Sequence, residues 1–133
     1  MEPKALIELA IKARNAAYAP YSGYAVGAAV LADDGRTFTG CNVENASFGL
    51  TVCAERNATF KAVSEGATRI VAVAVATRDG ASMCGACRQV VSEFGADAEV
   101  YLADAEGVYR TTSIPELLPG AFHGKQLHDP EGS

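Results

Sequence analysis

The stretch RIVAVAVAT, residues 69–77, is an almost continuous apolar run rich in valine and alanine. A strand of that composition needs both faces covered, as in the middle of a sheet flanked by helices. The segments around it supply those partners. Apolar residues at helical spacing (Leu6, Leu9 or Ala10, Ala13, Ala17) predict a helix over residues 3–18, with Pro3 suited to its first turn and Pro20 beyond its end. YAVGAAVLA (24–32) and RTFTGC (36–41) flank Asp33, Asp34 and Gly35, which have the turn chemistry of a hairpin. A helix is expected from about 52 to 65, stopped by Gly66, and another over CGACRQVVSEF (84–94), capped by Gly95. Strands at 98–103 and in VYRTT (108–112) follow, and Ser113-x-x-Glu116 has the pattern of a capping box opening a short helix. The series α-β-β-α-β-α-β-β-α predicts an α/β fold, a three-layer α-β-α sandwich around a mixed five-stranded sheet.

At 133 residues the chain is expected to form one domain, 1–133. Its formal net charge of -5 argues against a long nucleic acid as partner, because phosphate backbones are held by clustered Lys and Arg. A small neutral ligand fits the charge better. Glu8, Lys12 and Arg14 interrupt the N-terminal apolar residues, so that segment reads neither as a signal peptide nor as a membrane span. A cytoplasmic protein with no membrane partner is expected. In a reducing compartment, four cysteines point to metal or redox chemistry rather than to a disulfide framework. Cys41, apart from the others, is expected to be a buried small hydrophobe.

The other three cysteines carry the chemistry. Cys53 and Glu55 sit in TVCAER, at or near the start of one predicted helix; Cys84 and Cys87 sit in MCGACRQ, at the start of another. Helix N-termini favour thiolate, and thiolates are soft zinc ligands. Three protein ligands leave room for a water, the stoichiometry of catalytic rather than structural zinc. Because three thiolates outweigh the charge of Zn²⁺, water bound there is less acidic than at a neutral site, and a base is needed nearby. Glu55 is the group available. Arg56 is placed to donate to the sulfurs and offset their charge. Other readings stay open from the residues alone. A Cys-x2-Cys pair also serves thiol–disulfide exchange, and a structural zinc would take a fourth ligand from His123 or His128, both in the polar C-terminal tail. Glu55 and Arg56 would then be surface charges.

With Cys-x-Glu followed by Cys-x2-Cys, the chain resembles the zinc-dependent cytidine deaminases, in particular their small homotetrameric three-cysteine branch. The segments YAPYSGYAVGAA, GCNVENASFGLT, FKAVSEG and ELLPGAF also resemble that family, in its order and spacing. The resemblance implies hydrolytic deamination of cytidine and 2′-deoxycytidine to the uridines, with one Zn²⁺ per subunit held by Cys53, Cys84 and Cys87. Glu55 would donate a proton to N3 and later deliver one to the departing amino group. Asn42 and Glu44 would hold the ribose 3′-hydroxyl, although a turn is the simpler reading of those residues by themselves. The Ala54 N–H would hold the base O2, and the Cys84 carbonyl would accept from the amino group. Tyr24 and Phe48 stand where the family usually has Phe and Tyr, and Phe122 matches an aromatic that closes over the base from a neighbouring subunit. A homotetramer with shared active sites follows from that match.

The clearest departure is Met83, where the family has proline; loss of the φ restriction is expected to loosen the approach to Cys84. Met83, Phe48 and Tyr24 together bear on substrate range. A deaminase of a modified cytosine nucleoside or of a blasticidin S-like antibiotic is therefore the alternative enzyme. A non-catalytic zinc-stabilised binding module is the alternative of a different class, and Glu55 argues against it.

Overall fold

The computed structural model describes residues 1–124 and 127. Its elements are α1 (Pro3–Arg14), β1 (Gly27–Ala32), β2 (Thr37–Cys41), α2 (Ala54–Ser64), β3 (Ile70–Ala76), α3 (Gly85–Phe94), β4 (Glu99–Ala103), β5 (Tyr109–Ser113) and α4 (Ile114–Leu117), with a 3-10 turn at Phe48–Leu50. The apolar run is β3, in the middle of a five-stranded sheet of order β2-β1-β3-β4-β5. β1 is antiparallel to both β2 and β3, β3 and β4 are parallel, and β4 and β5 are antiparallel. The sheet is mixed, as expected.

The two faces of β3 differ in side-chain size. Val73 and Val75 point to the layer formed by α2 and α3, where they join Ala58, Ala62, Cys87 and Val91. Ala72, Ala74 and Ala76 point the other way, towards Leu6, Ile7 and Ala10 of α1. Small residues let α1 lie close: a Cβ on Gly27 would fall 2.0 Å from the Ala10 carbonyl oxygen. On the opposite face, a Cβ on Gly40 would fall 2.6 Å from the Ala58 nitrogen, so α2 rests directly on the β2 backbone. Each fully buried valine contributes about 1.5–3 kcal/mol of apolar burial.

Several element ends differ from the expectation, for reasons of hydrogen bonding. α1 stops at Arg14 rather than at 18; the Tyr18 N–H instead donates to the Asn42 carbonyl, and the Arg14 side chain to that of Ala25. β1 begins at Gly27 rather than at 24, because Tyr24 and Val26 are bonded to the Asn42 side chain. Gly66 ends α2 as expected, at φ 94°, with N–H groups of Gly66 and Ala67 returning to the carbonyls of Val63 and Ala62. Gly95 is needed for close approach rather than for a positive φ: a Cβ there would lie 2.5 Å from the Ile70 carbonyl oxygen. Ser113 caps α4, accepting from the Glu116 N–H at 3.3 Å. Cys41 is half-buried at the end of β2, not buried as expected, because the strand lies at the sheet edge. Among the described residues, no helix is long and apolar enough to cross a membrane.

This topology places the site. Gly27 pairs with Ala76, so the chain entering β1 lies beside the chain leaving β3. Next to them, on one face, are the N-termini of α2 and α3.

Candidate active site

Cys53 is the N-cap residue of α2, Cys84 is the N-cap residue of α3, and Cys87 lies in the first turn of α3. Two helix starts thus bring three sulfurs together, all within 4.8 Å of one another. Cys53 and Cys84 are 3.8 Å apart and Cys84 and Cys87 3.3 Å apart, sulfur to sulfur. A tetrahedral ion with bonds of about 2.3 Å needs sulfurs about 3.8 Å apart. The cluster is close to that size. All three cysteines are free thiols, and the third sulfur beside the Cys-x2-Cys pair does not suit the redox reading. Nor does the group include a histidine: His123 is exposed at a separate depression between α3 and α4, and His128 lies outside the described residues.

Charge in the cluster calls for a cation. The hydrogen bond with Cys87 and, after it, contact with Arg56 and Cys84 pull the Cys53 thiol down to about 5. The same bond and burial push the Cys87 thiol far up. The three sulfurs cannot ionise together without a positive charge among them. Arg56 supplies part of it, donating from Nη2 to the Cys53 sulfur at 3.5 Å. Its Nε is buried and has no hydrogen-bond partner among the described residues. The residues present fit a zinc ion.

Glu55 follows in the first turn of α2, only 4% exposed. Burial first, then the negative charge of Cys53, raises its carboxyl to about 7. A carboxyl in that range both holds and releases a proton at neutral pH.

Above Glu55 and Cys53 opens a cleft of about 300 Å³, at the small end of the range for ligand sites. Tyr24, Val26, Asn42 and Glu44 line it together with Val75, Thr77, Ala81, Ser82 and Cys84. Asn42 is 8% exposed. Its Oδ1 accepts from the Val26 N–H at 2.9 Å and its Nδ2 donates to the Tyr24 carbonyl at 2.9 Å, so it builds the wall that it lines. Glu44 accepts from the N–H groups of Tyr21 and Ser22 at 2.9 and 3.1 Å and from the Ser22 hydroxyl. These bonds, the Ser22 hydroxyl first, hold its carboxyl below the usual range. Ala54 is fully buried in the core, and its N–H belongs to the unpaired first turn of α2 between two lining residues.

Two aromatic residues stand apart from this cleft. Phe48 is 75% exposed and meets Tyr21 edge-on at 6.0 Å, in an adjoining depression that shares Ser22, Glu44 and Thr51 with the cleft. Phe122 is 55% exposed beyond α4, with its carbonyl accepting from Gln89 Nε2 at 3.0 Å. Met83 does not leave its loop loose: it is buried, and its carbonyl accepts from Arg88 Nε at 2.8 Å. Thr77, Ser82, Ser22 and Thr51 are lining residues that sequence reasoning missed. RDGAS read only as a loop, and nothing in its composition marked Ser82 as facing a cleft.

Fold and site together fit the class of α/β enzymes that hold one zinc ion beside a carboxyl acid. Residues 1–103 match the family described as cytidine and deoxycytidylate deaminase zinc-binding region. The chain is 50% identical over 132 residues to the cytidine deaminase of Halalkalibacterium halodurans, covering 97% of this chain and 100% of that one. It is 48% identical over 130 residues to the cytidine deaminase of Sporosarcina psychrophila, covering 96% of each. The crystal structure of cytidine deaminase from Burkholderia pseudomallei superposes with a TM-score of 0.88 at 50% identity, covering 92% of this chain and 100% of that chain. The chain belongs to the family of zinc-dependent cytidine and deoxycytidylate deaminases.

Proposed function

We propose that the protein hydrolyses cytidine and 2′-deoxycytidine to uridine and 2′-deoxyuridine, releasing ammonia, as a step of pyrimidine salvage. The observation that carries this reading is the buried Glu55 carboxyl, raised to about 7, beside three clustered sulfurs at the base of the cleft. Cys53, Cys84 and Cys87 would hold the zinc ion, which would supply the Lewis acidity that makes a water nucleophilic.

The chain's own residues do the rest. Protonated Glu55 donates to N3 of the pyrimidine, which makes C4 electron-poor, then takes a proton from the attacking water and passes it to the amino group as the C4–N bond breaks. The remaining hydroxyl proton returns to Glu55 as the carbonyl forms. One water is consumed, one ammonia leaves, and the carboxyl ends as it began. Arg56 neutralises thiolate charge. The Ala54 N–H holds the base O2, and the Cys84 carbonyl accepts from the amino group.

Asn42 and Glu44 bind the ribose 3′-hydroxyl. Their existing bonds support this role, because each is already fixed while retaining capacity: the Asn42 amide has a second N–H and a second lone pair, and the carboxylate of Glu44 has further acceptor sites. Tyr24 packs against the base from within its own chain. Phe48 and Phe122 lie outside the cleft of their own chain, which supports their contributing across an interface in a homotetramer with shared sites. The protein works in the cytoplasm as one catalytic domain over residues 1–133. A deaminase of modified cytosines or of a blasticidin S-like antibiotic is not favoured, since the relatives described above bear the name cytidine deaminase.

Ultraviolet absorbance and ammonia release, followed with cytidine, 2′-deoxycytidine and blasticidin S, test the reading. Turnover of both nucleosides is expected. Turnover of blasticidin S with neither nucleoside consumed would contradict it.

A further inference from the structure

Two walls of the cleft come from separate parts of the chain. One is the segment before β1 that carries Tyr24; the other is the loop of residues 77–83 between β3 and Cys84. The loop is tied internally, the buried Thr77 hydroxyl accepting from the N–H groups of Gly80 and Ala81 at 2.8 and 3.0 Å. At its far end Arg88 holds the Met83 carbonyl at 2.8 Å and the Ser82 hydroxyl at 3.1 Å.

Between those ties, the Tyr24 hydroxyl donates to Asp79 Oδ1 at 2.5 Å, and Asp79 Oδ1 also accepts from the Thr77 hydroxyl at 3.2 Å. The Arg78 guanidinium lies over the Tyr24 ring, 4.9 Å from its centroid. A ring with only two side-chain torsions is thus fixed at its face by one loop residue and at its tip by the next. The hydroxyl that separates Tyr24 from the phenylalanine expected at this position is the atom that makes the bond. Ala81 and Ser82, two and three residues after Asp79, face the same cleft. Asp79 therefore joins the two lining segments. The electrostatics agree with an ionised acceptor, since the Tyr24 bond is the main influence holding the Asp79 carboxyl below its usual range.

We propose that Asp79 is a positioning residue for nucleoside binding, which latches the Tyr24 ring to the 77–83 loop and so sets the width of the cleft at the base. It touches neither substrate nor metal. The inference rests on the reading of Tyr24 as a wall of the base pocket and goes beyond it by assigning what holds that wall. Because both partners are solvent-accessible, the bond is modest, and its loss should cost binding without reaching the proton-transfer chemistry at Glu55.

Steady-state kinetics with cytidine on five variants, each with its zinc content measured, decide the matter. Tyr24→Phe and Asp79→Ala should each raise KM about fivefold, the effect of one modest hydrogen bond, with kcat little changed and zinc retained. The Tyr24→Phe/Asp79→Ala double variant should be no worse than either single one, because both remove the same bond. Asp79→Asn, which keeps a carbonyl acceptor, should recover most of the loss. Multiplying KM effects in the double variant, or loss confined to kcat, would overturn the latch. Tyr24→Ala separates the two levels: if it leaves KM unaltered, the base-pocket reading falls and the latch with it. If it raises KM while Asp79→Ala does not, the latch alone is wrong.

Discussion

Glu55 is two residues after a zinc-ligating cysteine and almost fully buried, and those two facts set its chemistry. Burial lifts its carboxyl to about 7, so it can carry a proton at neutral pH that an ordinary surface glutamate would have lost. Glu55→Gln keeps the shape and removes the titratable group. It should lower kcat about 10²–10⁴-fold while zinc content stays that of the unaltered protein, as ammonia release and metal analysis would show. Undiminished ammonia release would rule out the shuttle. At this scale the sulfur cluster and the carboxyl beside it were legible in the sequence, since Cys53, Glu55, Cys84 and Cys87 lie within short motifs at helix starts. The surroundings of Cys41, Phe48 and Ser82 were not, because the exposure of one side chain depends on segments far away in the chain. The Asn42 side chain shapes the turn-like crossing of residues 24–26 and also lines the cleft.

α2 carries Cys53, Glu55 and Arg56, and its position depends on a single glycine of the strand beneath it. A Cβ at Gly40 would meet the Ala58 nitrogen at 2.6 Å and the Ala54 carbonyl oxygen at 2.7 Å. Both contacts are backbone atoms of the helix, so no side-chain rotation relieves them. Gly40→Ala should therefore push α2 off β2, costing about 1–3 kcal/mol in urea unfolding and weakening zinc retention against a chelator. Unchanged stability and zinc retention would mean that the seat of α2 on β2 is not what holds the site. The elements themselves were legible because β3 is unbroken, the hairpin has its turn residues, and Gly66 stops α2. The ends of α1 and β1 were not. Periodicity ran on past Arg14, but the bonds of Tyr18 and Tyr24 to Asn42 took that segment out of regular structure.

The whole molecule leaves two aromatic residues, Phe48 and Phe122, outside the cleft of their own chain. Under the proposed shared-site arrangement Phe122→Ala should raise KM for cytidine about tenfold, the worth of one aromatic contact, without loss of zinc. Metal loss in that variant would place Phe122 in the support of the zinc cluster instead. The three layers and the central place of β3 followed from the alternation of elements and the apolar run, whereas the order of the other strands came only with the structure, and assembly could be read only through resemblance, since it depends on surfaces that meet another copy. Every part of this account converges on the three sulfurs at the paired starts of α2 and α3. Zinc content per chain of the purified protein, measured beside Cys84→Ser, tests that most directly. The account predicts one zinc per chain, with both metal and cytidine turnover lost in the variant; full turnover by protein that contains no zinc would contradict it.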